Sequence, residues 1–149
     1  MKAIVTNRKA RHDFAIMETF EAGIALTGTE VKSLREGKAN LRDSFASIEQ
    51  GELILHGLHI SPYSHSSVSE VDPRRDRKLL AKKREIRRLT GKVKEKGLTL
   101  VPLKLYFNER GLVKVELALA KGKRSYDKRH AIAERDANRD LQREIKDKY

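Results

Sequence analysis

The chain has 149 residues, with 33 Lys or Arg against 21 Asp or Glu, for a formal net charge of +12. That length fits one domain with a modest core and a tail, and the charge points to a polyanionic partner, nucleic acid before membrane. With no cysteine, disulfide staples and cysteine-ligated zinc are excluded, which fits a reducing compartment.

The charge is uneven. Residues 1–70 hold 8 basic and 9 acidic side chains, whereas 71–149 hold 25 and 12. The opening MKAIVTNRKARHDF lacks the apolar run of a secretory signal, and no segment reaches the ~20 apolar residues that span a bilayer. A soluble cytoplasmic protein is expected.

From Phe14 to Leu26 the apolar residues fall mostly on even positions, interrupted by Glu18, which predicts a long strand. Gly23 inside it is expected to mark a bulge or bend, as suits a small closed barrel. In TGTEVKSLREG, Thr27 and Glu30 have capping-box spacing and Gly37 supplies a stop, predicting a helix near 28–36. Residues 41–63 return to short β-like runs, with Gln50-Gly51 as a hairpin turn. Asp72-Pro73 reads as a helix start, and Leu79, Ile86, Leu89 and Val93 predict a helix over about 74–96, stopped by Gly97. Residues 74–96 carry 12 basic and 3 acidic side chains, so every face but the apolar one is basic. Two alternating runs, Val101 to Phe107 and Val113 to Leu119, flank Asn108–Gly111 as a second hairpin. The expected fold is mainly β: an OB-like antiparallel β-barrel with attached α-helices.

Catalysis finds no support in the sequence. His56 and His59 sit at an odd offset, which on one strand puts them on opposite faces and unable to share a metal. His12-Asp13 has no local nucleophile to activate, and no phosphate-loop, dinucleotide or zinc-protease string occurs. No cofactor is implied. A basic amphipathic helix also suits a membrane surface, but its apolar stripe is narrow, lacks Trp and is needed to cover the barrel. RNA or DNA leads. With eight aromatics, and Phe14, Phe20, Phe45 and Phe107 placed like core residues, recognition by shape and phosphate contacts is expected, suiting a folded RNA.

The strings NRKARHDF (7–14), FEAGIALTGTEVKSLREGKANLRDSF (20–45), DPRRDRKLL (72–80), GLTLVPLKLYF (97–107) and AKGKRSYDKR (120–129) resemble the SsrA-binding protein (small protein B) family, almost end to end and in order. The resemblance implies a domain over 1–121 that binds the tRNA-like domain of transfer-messenger RNA. It also implies a tail over 122–149 that is disordered alone; that the tail turns helical on the ribosome is the expectation from its helical wheel. With elongation factor Tu, and with alanyl-tRNA synthetase acting indirectly through the RNA, such a protein serves trans-translation on stalled ribosomes without being an enzyme itself. Asn7, Glu21 and Leu80 match positions linked to RNA binding. Arg8, Arg11, His12, Lys32 and Lys78 lie in or beside the same motifs as supporting contacts. A carboxylate such as Glu21 beside RNA makes sense if it accepts from a base edge or 2′-hydroxyl, or orients an Arg.

In the tail, Gly122, Lys123, Arg124, Tyr126, Asp127, Lys128 and Arg129 match the family's decoding-centre junction. Arg124 replaces the common Lys and keeps the charge. Tyr126 stands where histidine is common; it can stack but cannot carry a positive charge. On a helical wheel Arg135, Arg139, Arg143 and Lys146 share one sector and Ala133, Ala137, Leu141 and Ile145 another. The basic edge could follow the small-subunit rRNA of the messenger channel beyond the A site. A short isolated helix with so thin an apolar stripe should not persist in water. The alternatives are a general basic RNA-binding or ribosome-associated module and, from another class, an RNA-processing enzyme.

Overall fold

The structure is a computed structural model and describes residues 2–63 and 72–123. Along the chain run β1 (Lys2–Thr6), α1 (Arg8–Asp13), β2 (Phe14–Ile24), α2 (Gly28–Arg35), β3 (Ala39–Asn40) and β4 (Phe45–Glu49). They are followed by β5 (Glu52–His56), β6 (His59–Ile60), β7 (Arg77–Leu80), α3 (Lys83–Lys96), β8 (Thr99–Phe107) and β9 (Val113–Gly122). The main sheet has the order β1-β8-β4-β5-β7-β2-β9, and a further β8–β9 pairing closes it on itself. Six antiparallel strands thus form a ring, and β1 continues along the β8 edge beyond the point where β4 leaves it. The fold is the expected mainly β barrel with attached helices.

Alternation builds the interior. Ala22 and Ile24 of β2, Leu53 and Leu55 of β5, Leu79 of β7, Leu105 of β8 and Val115 and Leu117 of β9 all face one core. Leu34 of α2 and Ile86 and Leu89 of α3 join it. The α2 capping box forms as its spacing predicts: the Thr27 hydroxyl accepts from the Glu30 amide, and the Thr27 amide donates to the Glu30 carboxylate. Gln50 and Gly51, at φ 53° and 76°, make the left-handed two-residue turn of the β4–β5 hairpin.

Two expectations shift. The β2 bulge lies between Ile16 and Glu18, and not at Gly23. The break at Glu18 in the alternation is the sequence trace of that bulge. Gly23 instead makes room for a neighbour: a Cβ there would lie 3.2 Å from Leu80 Cβ. The helix expected over 74–96 is also two elements. After Asp72-Pro73 the chain turns, with the Arg75 amide donating to the Asp72 carbonyl at 3.1 Å, and then extends as β7 between β5 and β2. Arg77 and Leu79 are the inward residues of that strand. The charge of Arg77 hides a period-two pattern, because an inward arginine reads as a polar residue. α3 begins only at Lys83 and ends at Gly97, whose φ of 62° is the left-handed stop.

Glu18 fastens α3 to the barrel. It accepts from Arg88 at 2.5 Å and Lys92 at 3.0 Å. These two hydrogen bonds hold its carboxyl down at about 2. A depressed carboxyl contributes stability that is present above its unfolded value, near 4.5, and lost as pH falls toward 2. Denaturant midpoints for the unaltered chain and Glu18→Gln should therefore differ at pH 6 and converge by pH 2. A gap that stays constant over that range would contradict this ion-pair role.

Candidate nucleic-acid interface

The strand alternation that sends Ala22, Arg77, Leu79 and Val115 inward sends Glu21, Lys78, Leu80, Lys114 and Glu116 outward. Register sets them side by side. Gly23 of β2 pairs with Leu80 of β7 on one edge and with Lys114 of β9 on the other, and Glu21 lies opposite Glu116. Across β9, Lys114 and Glu116 face Tyr106 and Lys104 of β8. The outer face of β7, β2, β9 and β8 is therefore one continuous patch.

Two glutamates directly opposite each other repel. Glu116 is relieved by Arg11 at 3.6 Å and Lys104 at 3.9 Å. Glu21 takes a hydrogen bond from the Tyr106 hydroxyl. Burial, and then the Glu21 carboxylate, push the phenol well above its ordinary value, so Tyr106 remains a donor across physiological pH. Lys104 sits 5.7 Å from the Tyr106 ring. A carboxylate held in one orientation and edged by Arg11, Lys104 and Lys114 can accept from a base or a 2′-hydroxyl while its cationic neighbours meet phosphates. Arg11 pairs with Glu116, so Glu21 is not the residue that orients it. Leu80 is 52% exposed, so its side chain stands on the outer face and not in the core.

The other expected residues divide. Arg8, Arg11 and His12 are exposed on α1, with His12 against Asp13 at 3.0 Å. Asn7 is buried: it caps α1 by accepting from the Ala10 amide, and its own amide donates to the Leu41 and Pro102 carbonyls. In this structure it positions α1 and does not present an edge to solvent. Lys78 pairs with Glu52 at 3.7 Å. Lys32 lies on α2 over the Tyr63 ring at 5.6 Å, apart from the Glu21 patch. At the tail junction Gly122 ends β9, and Lys123 donates to the Arg11 carbonyl at 3.1 Å, joining the tail root to α1. Arg124, Tyr126, Asp127, Lys128, Arg129, Arg135, Arg139, Arg143 and Lys146 lie outside the described residues.

Sequence reasoning missed Tyr106, although the alternation that turns Leu103 and Leu105 inward leaves Tyr106 on the side of Lys104. It also missed a cluster on the outer face of β4 and β5. His56 Nε2 lies 2.7 Å from Ser47 Oγ and 2.8 Å from Glu49 Oε2, and Nδ1 lies 2.8 Å from Asp76 Oδ1. Hydroxyl, imidazole and carboxylate in series are the layout of a base-activated nucleophile. Here the Ser47 hydroxyl donates its hydrogen bond to Glu49 at 2.7 Å. Burial disfavours the imidazolium, but the hydrogen bonds it donates to Asp76 and Glu49 outweigh that and raise the His56 pKa. Flanked by two carboxylates, the ring clamps Glu49 of the β4–β5 hairpin to Asp76 just before β7. His59 belongs to β6, which pairs with β3, so the two histidines occupy different sheets. Phe45, expected in the core, is 47% exposed and stacks on His56 with centroids 4.9 Å apart. Among the described residues no cluster is placed to hold a metal ion, and no helix is long and apolar enough to cross a membrane.

Comparison with known proteins follows the same lines. The family model described as SmpB protein matches residues 4–147. The SsrA-binding protein of Moorella thermoacetica is 63% identical over 148 residues, covering 99% of this chain and 96% of the relative. That of Desulforamulus reducens is 61% identical over 147 residues, covering 99% and 91%. A chain of the solved structure "tmRNA-SmpB: a journey to the center of the bacterial ribosome" is 65% identical, with a TM-score of 0.67 over 80% of this chain and 83% of that one.

Proposed function

The chain belongs to the SmpB family, and from that premise we propose that it binds the tRNA-like domain of transfer-messenger RNA and delivers it to stalled ribosomes for trans-translation. The observation that carries this reading is the convergence of Glu21, Lys78, Leu80 and Arg11 on one outer face, edged by Lys104 and Lys114 around an oriented carboxylate. Leu80 supplies an apolar contact for a base or sugar, Glu21 accepts from a base edge or 2′-hydroxyl, and Asn7 holds α1 so that Arg8, Arg11 and His12 reach the backbone. The domain over 1–121 holds the RNA. The tail from Gly122 probes the A site and the empty messenger channel, and Lys123 ties its root to the RNA-binding face. Elongation factor Tu and alanyl-tRNA synthetase meet this protein through the RNA they share. Its work is binding in the cytoplasm; among the described residues the closest approach to a catalytic layout, at Ser47 and His56, is bonded to carboxylates.

Binding at fixed salt tests the reading. The purified chain should prefer transcribed transfer-messenger RNA to bulk transfer RNA and 5S RNA. Leu80→Ala, which removes an exposed side chain and leaves the core intact, should weaken that binding on the order of tenfold. Equal affinity for every RNA, governed by salt alone, would replace this reading with a general basic binder.

A further inference from the structure

Phe45 is the one aromatic side chain among the large apolar residues exposed within the described structure. Its ring lies over His56 at an interplanar angle of 27°. His56 is itself held by Ser47, Glu49 and Asp76, so the lower ring cannot turn away. Stacking a flexible ring costs side-chain entropy. Here that cost is met in the fold, and the open upper face of Phe45 is a preformed platform.

The surroundings say what it would hold. Glu49 and Asp76, both held by the His56 ring, border the platform, and a phosphate would be repelled there. A base would not, because π faces tolerate every base and carboxylates accept from exocyclic amino groups. Among the described residues Glu49 Oε1 and Asp76 Oδ2 take no hydrogen bond, since His56 and Ser47 use the other oxygen of each pair. The site is also continuous with the proposed RNA face. An open cleft of about 420 Å³, lined by Ala25, Leu26, Ile54, Arg75, Asp76 and Lys78, runs from the clamp toward Lys78. Lys78 and Leu80 are outward neighbours on β7.

We propose that Phe45, stacked on His56, receives one unpaired base of transfer-messenger RNA whose amino group meets Glu49 or Asp76. This rests on the RNA-binding reading above. The base lies flat on the ring, and the backbone passes outside the acidic border toward Lys78.

The test compares the unaltered chain, Phe45→Ala, Phe45→Tyr and Leu80→Ala on transcribed transfer-messenger RNA over a series of salt concentrations. Phe45→Ala should lose affinity on the order of tenfold with the slope on salt unchanged, because stacking releases no counterion. Phe45→Tyr should bind like the unaltered chain. One adenine or cytosine protected from dimethyl sulfate in the complex should become reactive with Phe45→Ala. Unfolding curves should show Phe45→Ala as folded as the parent. If Phe45→Ala binds within twofold of the parent while Leu80→Ala is weakened, the platform proposal falls and the RNA reading stands. A shallower salt slope would mean a phosphate contact and also overturn it. Loss of ribosome binding with unchanged binding to this RNA would assign the ring elsewhere, against the proposal. If the unaltered chain shows no preference for this RNA, the functional reading fails and takes the platform with it.

Discussion

Replacing Arg77 by alanine should cost about 3–5 kcal/mol of folding stability, the range for stripping one partner from a buried ion pair. Arg77 has no solvent-exposed surface and Glu30 only 5%. Its guanidinium donates Nε at 2.9 Å and Nη2 at 2.6 Å to Glu30 Oε2, Nη1 to the Leu58 and Arg75 carbonyls, and Nη2 again to the Pro73 carbonyl. Glu30 also accepts from Arg75 and from the Thr27 amide. Burial works against its ionised form, but the bonds from Arg75, Thr27 and Arg77 outweigh it and hold its carboxyl below the ordinary range. One carboxylate thus caps α2 and anchors the turn that leads into β7. Arg77→Ala leaves that charge buried with Arg75 as its remaining cation and strands the Leu58 carbonyl, while the Pro73 carbonyl keeps the Ile60 amide. Arg77→Lys keeps the charge but not the fork, and should recover only part of the loss. Urea midpoints of the three proteins check this; a loss below about 1 kcal/mol for alanine, the worth of an exposed pair, would contradict it.

The second large effect separates binding from rescue. A chain ending at Gly122 should bind transfer-messenger RNA as the full chain does, yet leave tagging of nascent peptides abolished in a reconstituted stalled-ribosome reaction. The ground for expecting intact binding is that Glu21, Lys78, Leu80, Tyr106, Arg11 and Lys104 all precede the cut, and β9 is complete at Gly122. What the cut removes from the described face is the Lys123 bond to the Arg11 carbonyl, on an exposed helix. The ground for expecting lost tagging is the sorted basic edge of Arg135, Arg139, Arg143 and Lys146. Parallel loss of RNA affinity and tagging would show that the two roles share one surface.

The barrel was legible because most of its strands obey the period-two rule with apolar residues inside. It became illegible where an inward residue is charged. Arg77 is fully buried on a strand, so RRDRKLL reads as a basic helix until Glu30, 47 positions earlier, is seen beneath it. Glu18 misled less, because a break in alternation and a bulge are the same event. The candidate site was read by family likeness for Glu21 and Leu80, whereas their neighbours were hidden by strand order. Nothing local in the sequence says that Tyr106 lies within hydrogen-bond reach of Glu21, because β9 intervenes in the sheet between their strands. Phe45 was misassigned because aromatic residues in strands default to the interior. Its exposure follows from pairing opposite His56, which fixes both on the outer face.

The ring has a consequence for how the protein comes into being. Phe14 pairs with Gly122 and Lys2 with Phe107, so β1 finds its partner only in β8, and β2 finds most of its pairing in β9, with only Gly23 and Ile24 meeting β7. Contacts of such sequence separation fold slowly, since the whole intervening loop must close before they contribute. During synthesis, β1 and β2 emerge with edges that nothing yet made can cover. The β4–β5 hairpin can form early; the barrel must wait until β9 has left the exit tunnel. A chain released before β8 has open strand edges and no means of closing them, which makes an incomplete copy of this protein a substrate for aggregation or proteolysis.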